Sequence, residues 1–135
     1  MIKSAELGKE LAVTVVNEIG VLEDMAKIAT EHGLNIEAVA GYAIGKEAKI
    51  MLVVDDSLRA GDALKKSGYN SIKENEVRIV ELENKSGALK YITGVLSAEG
   101  IDIKQIYGST CKDSCPAVII LSTSNNEKAL VALKK

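Results

Sequence analysis

Two short stretches carry residue types in an order suited to holding a small anion. Asn17-Glu18-Ile19-Gly20-Val21-Leu22 and Asn84-Lys85-Ser86-Gly87-Ala88-Leu89 each close an apolar run and open a helical pattern. The leading amides of a helix that starts there have no partner within it, and the positive end of the helix dipole lies behind them. Such an end suits a carboxylate, and a glycine at the junction lets a ligand approach the backbone without meeting a Cβ. Asn17 and Asn84 would hold the loop or take a ligand ammonium through the side-chain oxygen. The same residues would also serve as an ordinary strand-to-helix turn, which duplication alone would preserve.

The two stretches belong to a repeat. Residues 12–41 align without gaps on 79–108 at an offset of 67, with seven identities: Val13/Val80, Asn17/Asn84, Gly20/Gly87, Leu22/Leu89, Gly33/Gly100, Ile36/Ile103 and Gly41/Gly108. The three glycine pairs are expected at structural corners, where the backbone rather than the side chain would require them. The repeat divides 135 residues into two units, 1–75 with an arm or short edge strand over 1–10, and 76–135. Units of this size bury little core alone and are expected to pack on each other or on a second chain.

The elements that position the two stretches follow from periodicity. Leu11 to Val16 read as a buried strand with Val13 and Val15 on one face. After Gly20 the spacing becomes helical, with Val21, Leu22, Met25, Ile28 and Ala29 on the apolar stripe and a stop at Gly33. A strand from Leu34 to Ala43 puts Leu34, Ile36, Ala38 and Ala40 on one face; a turn at Gly45-Lys46 and a strand from Lys49 to Val54 follow. A helix carrying Leu58, Ala60, Ala63 and Leu64 and a strand from Tyr69 to Glu74 complete the unit. The second copy repeats the order: a strand over Val77 to Glu83, a helical stripe of Leu89, Ile92, Val95 and Leu96, strands at Ile101 to Gly108 and Ala117 to Ser122, and a helix in which Ala132-Leu133-Lys134-Lys135 echoes Ala63-Leu64-Lys65-Lys66. The predicted fold is α+β: tandem ferredoxin-like βαββαβ units with helices on one face of antiparallel sheets. The second unit lacks its last strand, leaving an edge for the N-terminal arm or another chain to fill.

This combination resembles the ACT domain, a small βαββαβ module. Its usual signature is Asn or Asp, any residue, Pro, Gly, any residue, Leu at the first strand-helix junction, then Gly-[Leu/Ile]-[Asn/Asp]-Ile about eleven residues later. Here the second element reads Gly33-Leu34-Asn35-Ile36 and Gly100-Ile101-Asp102-Ile103, and the proline is replaced by Ile19 and Ser86. The resemblance implies amino-acid binding and side-by-side association of units, with ligand held where the first loop of one meets the second strand of its neighbour. The implied contacts are Asn17, Glu18, Ile19, Gly20, Val21, Leu22, Asn84, Lys85, Ser86, Gly87, Ala88 and Leu89 in the loops, with Asn35, Ile36, Asp102 and Ile103 at the strand starts.

Other chemistry finds little support. Cys111 and Cys115 share one loop, and the single His32 is in the other copy, so neither a disulfide framework nor a four-ligand zinc site is expected. His32 sits at a helix end, where a cation meets the dipole favourably. No nucleophile-base arrangement, Gly-rich phosphate loop or acid-base carboxylate pair is evident, so no enzyme and no cofactor are expected. Seventeen basic against nineteen acidic residues, without a basic run, argue against nucleic acid. Tyr42, Tyr69, Tyr91 and Tyr107 do not form the two-ring platform of RNA-binding sheets. The chain has no signal-peptide pattern and no run of about 18 apolar residues, so a cytoplasmic protein without a membrane partner is expected.

The resulting expectation is a non-enzymatic regulatory homodimer that binds a small molecule, an amino acid for preference, and acts on a regulated enzyme partner. The alternative is a ligand-free module for protein-protein interaction and dimerisation.

Overall fold

The computed structural model describes residues 1–110, 112 and 115–134. Its elements are strand β1 (Ile2–Val16), helix α1 (Val21–Glu31), strands β2 (Ile36–Ile44) and β3 (Glu47–Val54), helix α2 (Ser57–Lys66), strand β4 (Ile72–Leu82), helix α3 (Ala88–Ala98), strands β5 (Ile103–Ser109) and β6 (Ala117–Thr123), and helix α4 (Asn126–Lys134). They form two compact units: Lys9–Asn75, and Met1–Gly8 together with Glu76–Lys135.

In the first unit the strand order is β2-β3-β1-β4, and in the second it is β1-β4-β6-β5. β3 pairs antiparallel with both β1 and β2, as β6 does with both β4 and β5. Both units are therefore ferredoxin-like sheets with the βαββαβ order. β1 and β4 are long because each supplies a strand to both units. Residues 9–16 of β1 and 72–75 of β4 serve the first, and residues 2–8 and 76–82 serve the second. The fourth strand of the second unit is thus the N-terminal segment, which the sequence left open. There Glu83 donates its amide to the Met1 carbonyl at 2.8 Å, and Ala5 joins the unit's core.

Each core is a layer of helix packed on one sheet face. In the first unit, Leu11, Val13 and Val15 of β1 and Ile50 and Leu52 of β3 meet Met25, Ile28 and Ala29 of α1 and Ala60, Ala63 and Leu64 of α2. In the second, Val80, Leu82 and Leu121 meet Ile92, Leu96, Ala129 and Leu133. Burying each large aliphatic side chain contributes about 1.5–3 kcal/mol. Gly33 and Gly100 follow the first helix of each copy with φ of 66° and 68°, which explains why a glycine recurs there.

Several expectations about faces and corners change. A bulge moves the β2 register from Ile36↔Val54 to Ala38↔Val53, so Val39, opposite Leu52, shares the helix-covered face with Ile36, and Ala38 and Ala40 do not. The same shift occurs in β5 between Ile103 and Gln105. Gly41 and Gly108 lie inside these strands, not at corners, directly opposite Ile50 and Ile119. Leu22 and Leu89 point away from the cores, at 46% and 55% exposure.

The recurrence of Gly41 and Gly108 has a steric reason that differs in degree. A Cβ on Gly108 would lie 2.5 Å from the Val118 carbonyl oxygen, whereas one on Gly41 would meet the Lys49 carbonyl at 3.4 Å. Gly108→Ala should therefore cost about 1–3 kcal/mol in urea denaturation, since backbone must shift. Gly41→Ala should stay within about 1 kcal/mol of the parent.

Candidate functional site

The two loops singled out in the sequence have the same backbone. Gly20 and Gly87 immediately precede α1 and α3 with φ of 87° and 90°, and no side chain caps either helix. A residue with a Cβ is strained in that left-handed conformation. The Gly20 and Gly87 carbonyls accept from Asp24 and Tyr91 at 2.9 Å, closing the first turns. The Val21 and Ala88 amides bond back to Glu18 and Lys85 at 3.3 and 3.2 Å. The amides of Leu22 and Glu23, and of Leu89 and Lys90, meet no acceptor among the described residues. Each loop thus presents two free donors beside a glycine at the positive end of a helix.

Their electrostatics differ. The first turn of α1 carries Glu23 and Asp24, and Glu18 precedes it; that of α3 has no acidic residue and lies between Lys85 and Lys90. Acidic groups there already satisfy the dipole and repel a second anion. In the second unit Glu83 is held below the usual carboxylate range by hydrogen bonds from the Met1 amino group at 2.9 Å and from Lys85 at 3.1 Å.

Asn35, Ile36, Asp102 and Ile103 lie at the other ends of these helices, about 16 Å of helix axis away. Asn35 and Asp102 have matching backbone anchors: Asn35 donates to the Asp55 carboxylate at 3.0 Å and accepts from the Asp55 amide at 3.2 Å, and Asp102 does the same with the Ser124 hydroxyl and amide at 3.0 and 2.8 Å. No unit by itself brings its loop and its strand start together.

No family model matches the sequence, and no curated protein sequence is significantly similar to it. Solved structures are similar. Protein BT0572 from Bacteroides thetaiotaomicron superposes with a TM-score of 0.88 at 25% identity, over 96% of this chain and 88% of that one. The regulatory subunit of aspartate kinase from Thermus thermophilus gives 0.71 at 13% identity, over 98% and 96%. Aspartokinase III from E. coli, in complex with aspartate and ADP, gives 0.61 at 17% identity, over 98% of this chain and 32% of that one.

The chain carries a tandem ACT-type fold.

Among the described residues no three His, Cys, Asp or Glu side chains are grouped to hold a metal ion. Cys111 lies outside the described residues, and with it the expectation for the Cys111/Cys115 loop. His32 ends α1, with Nδ1 2.9 Å from the Ile28 carbonyl. No helix among the described residues is long and apolar enough to cross a membrane.

One residue near the first loop was not legible as part of this region. Tyr69 lies beyond α2 in sequence, yet its hydroxyl donates to Asp24 in the first turn of α1. Only the folded arrangement of α1 beside α2 brings them together. Burial first, then the hydrogen bond to Asp24, push its pKa from 10.0 up to about 12. The folded state therefore keeps a proton that the unfolded chain loses, so this contribution is complete below about pH 10 and is lost as pH rises through about 12. Tyr69→Phe should lose about 1 kcal/mol or less at neutral pH, and the gap to the parent should narrow across that alkaline window. Paired urea denaturations at pH 8 and in the alkaline window, about pH 11, would measure both effects.

Proposed function

We propose that the protein is a non-enzymatic regulator that binds a small amino acid or a similar metabolite at a seam between ACT units of neighbouring subunits. The observation that carries this reading is the twice-built helix start, with a left-handed glycine and two unbonded amides at Gly20 and at Gly87. The second copy is the better carboxylate site, because Lys85 and Lys90 flank it where Glu23 and Asp24 crowd the first. The ligand ammonium would meet Asn84 or, across the seam, Asp102 of the neighbouring subunit's second unit. Regulatory parts of aspartate kinases from two Thermus species share the fold, which favours regulation of an enzyme partner.

Association is supported by the outer strands. β2 and β5 are outer strands, each with a single strand neighbour. On their helix-covered faces Val39 and Ile106, at equivalent positions, remain 51% and 40% exposed. Together with Leu22 and Leu89 they give each unit an apolar outer margin that a second subunit would cover. The same margin favours the rival reading, a dimerisation module without a small ligand.

A heat-denaturation screen against the twenty amino acids separates the two. A ligand at 100 times its Kd should add about 2.7 kcal/mol, raising Tm by several degrees. Lys85→Glu should abolish that shift and lower the unliganded Tm only slightly, since its lost ion pair with Glu83 is exposed; Gly87→Val should abolish it while also straining the loop. A screen in which no amino acid moves Tm contradicts ligand binding and favours the dimerisation module.

A further inference from the structure

The two units differ in the space between the edge strand and the helix ends. In the first unit this space is filled: Tyr69 donates its amide to the Leu64 carbonyl at the end of α2, at 3.0 Å, and its hydroxyl to Asp24 of α1. In the second unit the residue equivalent to Asp24 is Tyr91, and Leu133-Lys134 correspond to Leu64-Lys65. Here the space is open. A cavity of about 420 Å³ lies between residues 1–6 and the two helices, lined by all six of these residues with Tyr91, Leu133 and Lys134. None of residues 84–89 lines it.

Its chemistry is that of an anion site. Neither Lys3 nor Lys134 is paired with a carboxylate among the described residues, and the Tyr91 hydroxyl has no partner there. The Met1 amino group is occupied by Glu83 at 2.9 Å. Against the two lysines stands the single carboxylate of Glu6, so the lining keeps one net positive charge. The Tyr91 ring and the buried Leu133 provide an apolar wall.

We infer that this cavity is a second small-molecule site, distinct from the α3 start, which takes an anionic metabolite with its phosphate or carboxylate groups between Lys3 and Lys134 and its body against Tyr91. The same anionic chemistry is offered by phosphates and by dicarboxylates, and the cavity is large enough for either on a small carbon frame. Two ammonium groups on flexible stems provide the charge-assisted hydrogen bonds, and Ser4 and Tyr91 add neutral donors.

The test is an NMR titration of the ¹⁵N-labelled full chain with inorganic phosphate and, separately, with succinate. At least one should give saturable shifts confined to the amides of residues 3–6, 91, 133 and 134, and the responsive anion assigns the ligand class. The Lys3→Gln/Lys134→Gln double variant, at exposed positions, should keep its fold and weaken that anion by about tenfold or more. No saturable shift with either anion, shifts centred on residues 84–89, or unchanged affinity in the double variant would overturn the assignment. Amino-acid binding is read at residues 84–89 with different ligands, so either site can fail without the other.

Discussion

The structure depends on two strands that each serve both units. β1 and β4 run for 15 and 11 residues, and each carries residues of both units. A strand that serves two units must alternate correctly for two cores. In β1, Ala5 faces the core of the second unit, while Leu11, Val13 and Val15 face that of the first. The second core is thereby closed by the beginning of the chain, and its edge is occupied by Met1 through Gly8.

This sharing also explains where sequence reading succeeded and where it stopped. Val13/Val80 and the helical stripes, apart from Leu22 and Leu89, were legible because buried strands and helices impose periods that Val, Ile and Leu display directly. The role of residues 2–8 was not, because Lys3, Glu6 and Leu7 are exposed and Ala5 alone gives a weak signal. The strands expected at Tyr69 to Glu74 and Val77 to Glu83 are one strand, β4; Asn75 and Glu76 between them lack the turn chemistry that would part them. The bulges in β2 and β5 were hidden by small residues such as Ala38 and Ala40, which tolerate either face. The glycine loops were legible as anion-suited helix starts. The Tyr69 plug was not, since it rests on the packing of α1 beside α2.

One backbone occurs at two places, and the side chains around it give the two copies different chemistry. Gly20 and Gly87 adopt nearly the same φ, yet one loop is bordered by Glu18, Glu23 and Asp24 and the other by Lys85 and Lys90. Asp24 and Tyr91 occupy one position on the first helix of each unit; Asp24 receives Tyr69, and Tyr91 lines an open cavity. The first copy is acidic around its helix start and places Tyr69 against Asp24, while the second is basic there and leaves a cavity beside Tyr91, so ligand chemistry concentrates in the second.

The placement of the N-terminal segment in the second core is what this account rests on, and Ala5→Asp measures it directly. Ala5 is 4% exposed, so an aspartate there places a carboxylate among Val80, Leu82 and Leu133. Urea denaturation of this variant should show a loss of about 2–4 kcal/mol relative to the parent. If the segment were a surface arm, the change would stay within about 0.5 kcal/mol, as at exposed sites generally. That result would contradict the shared-strand architecture.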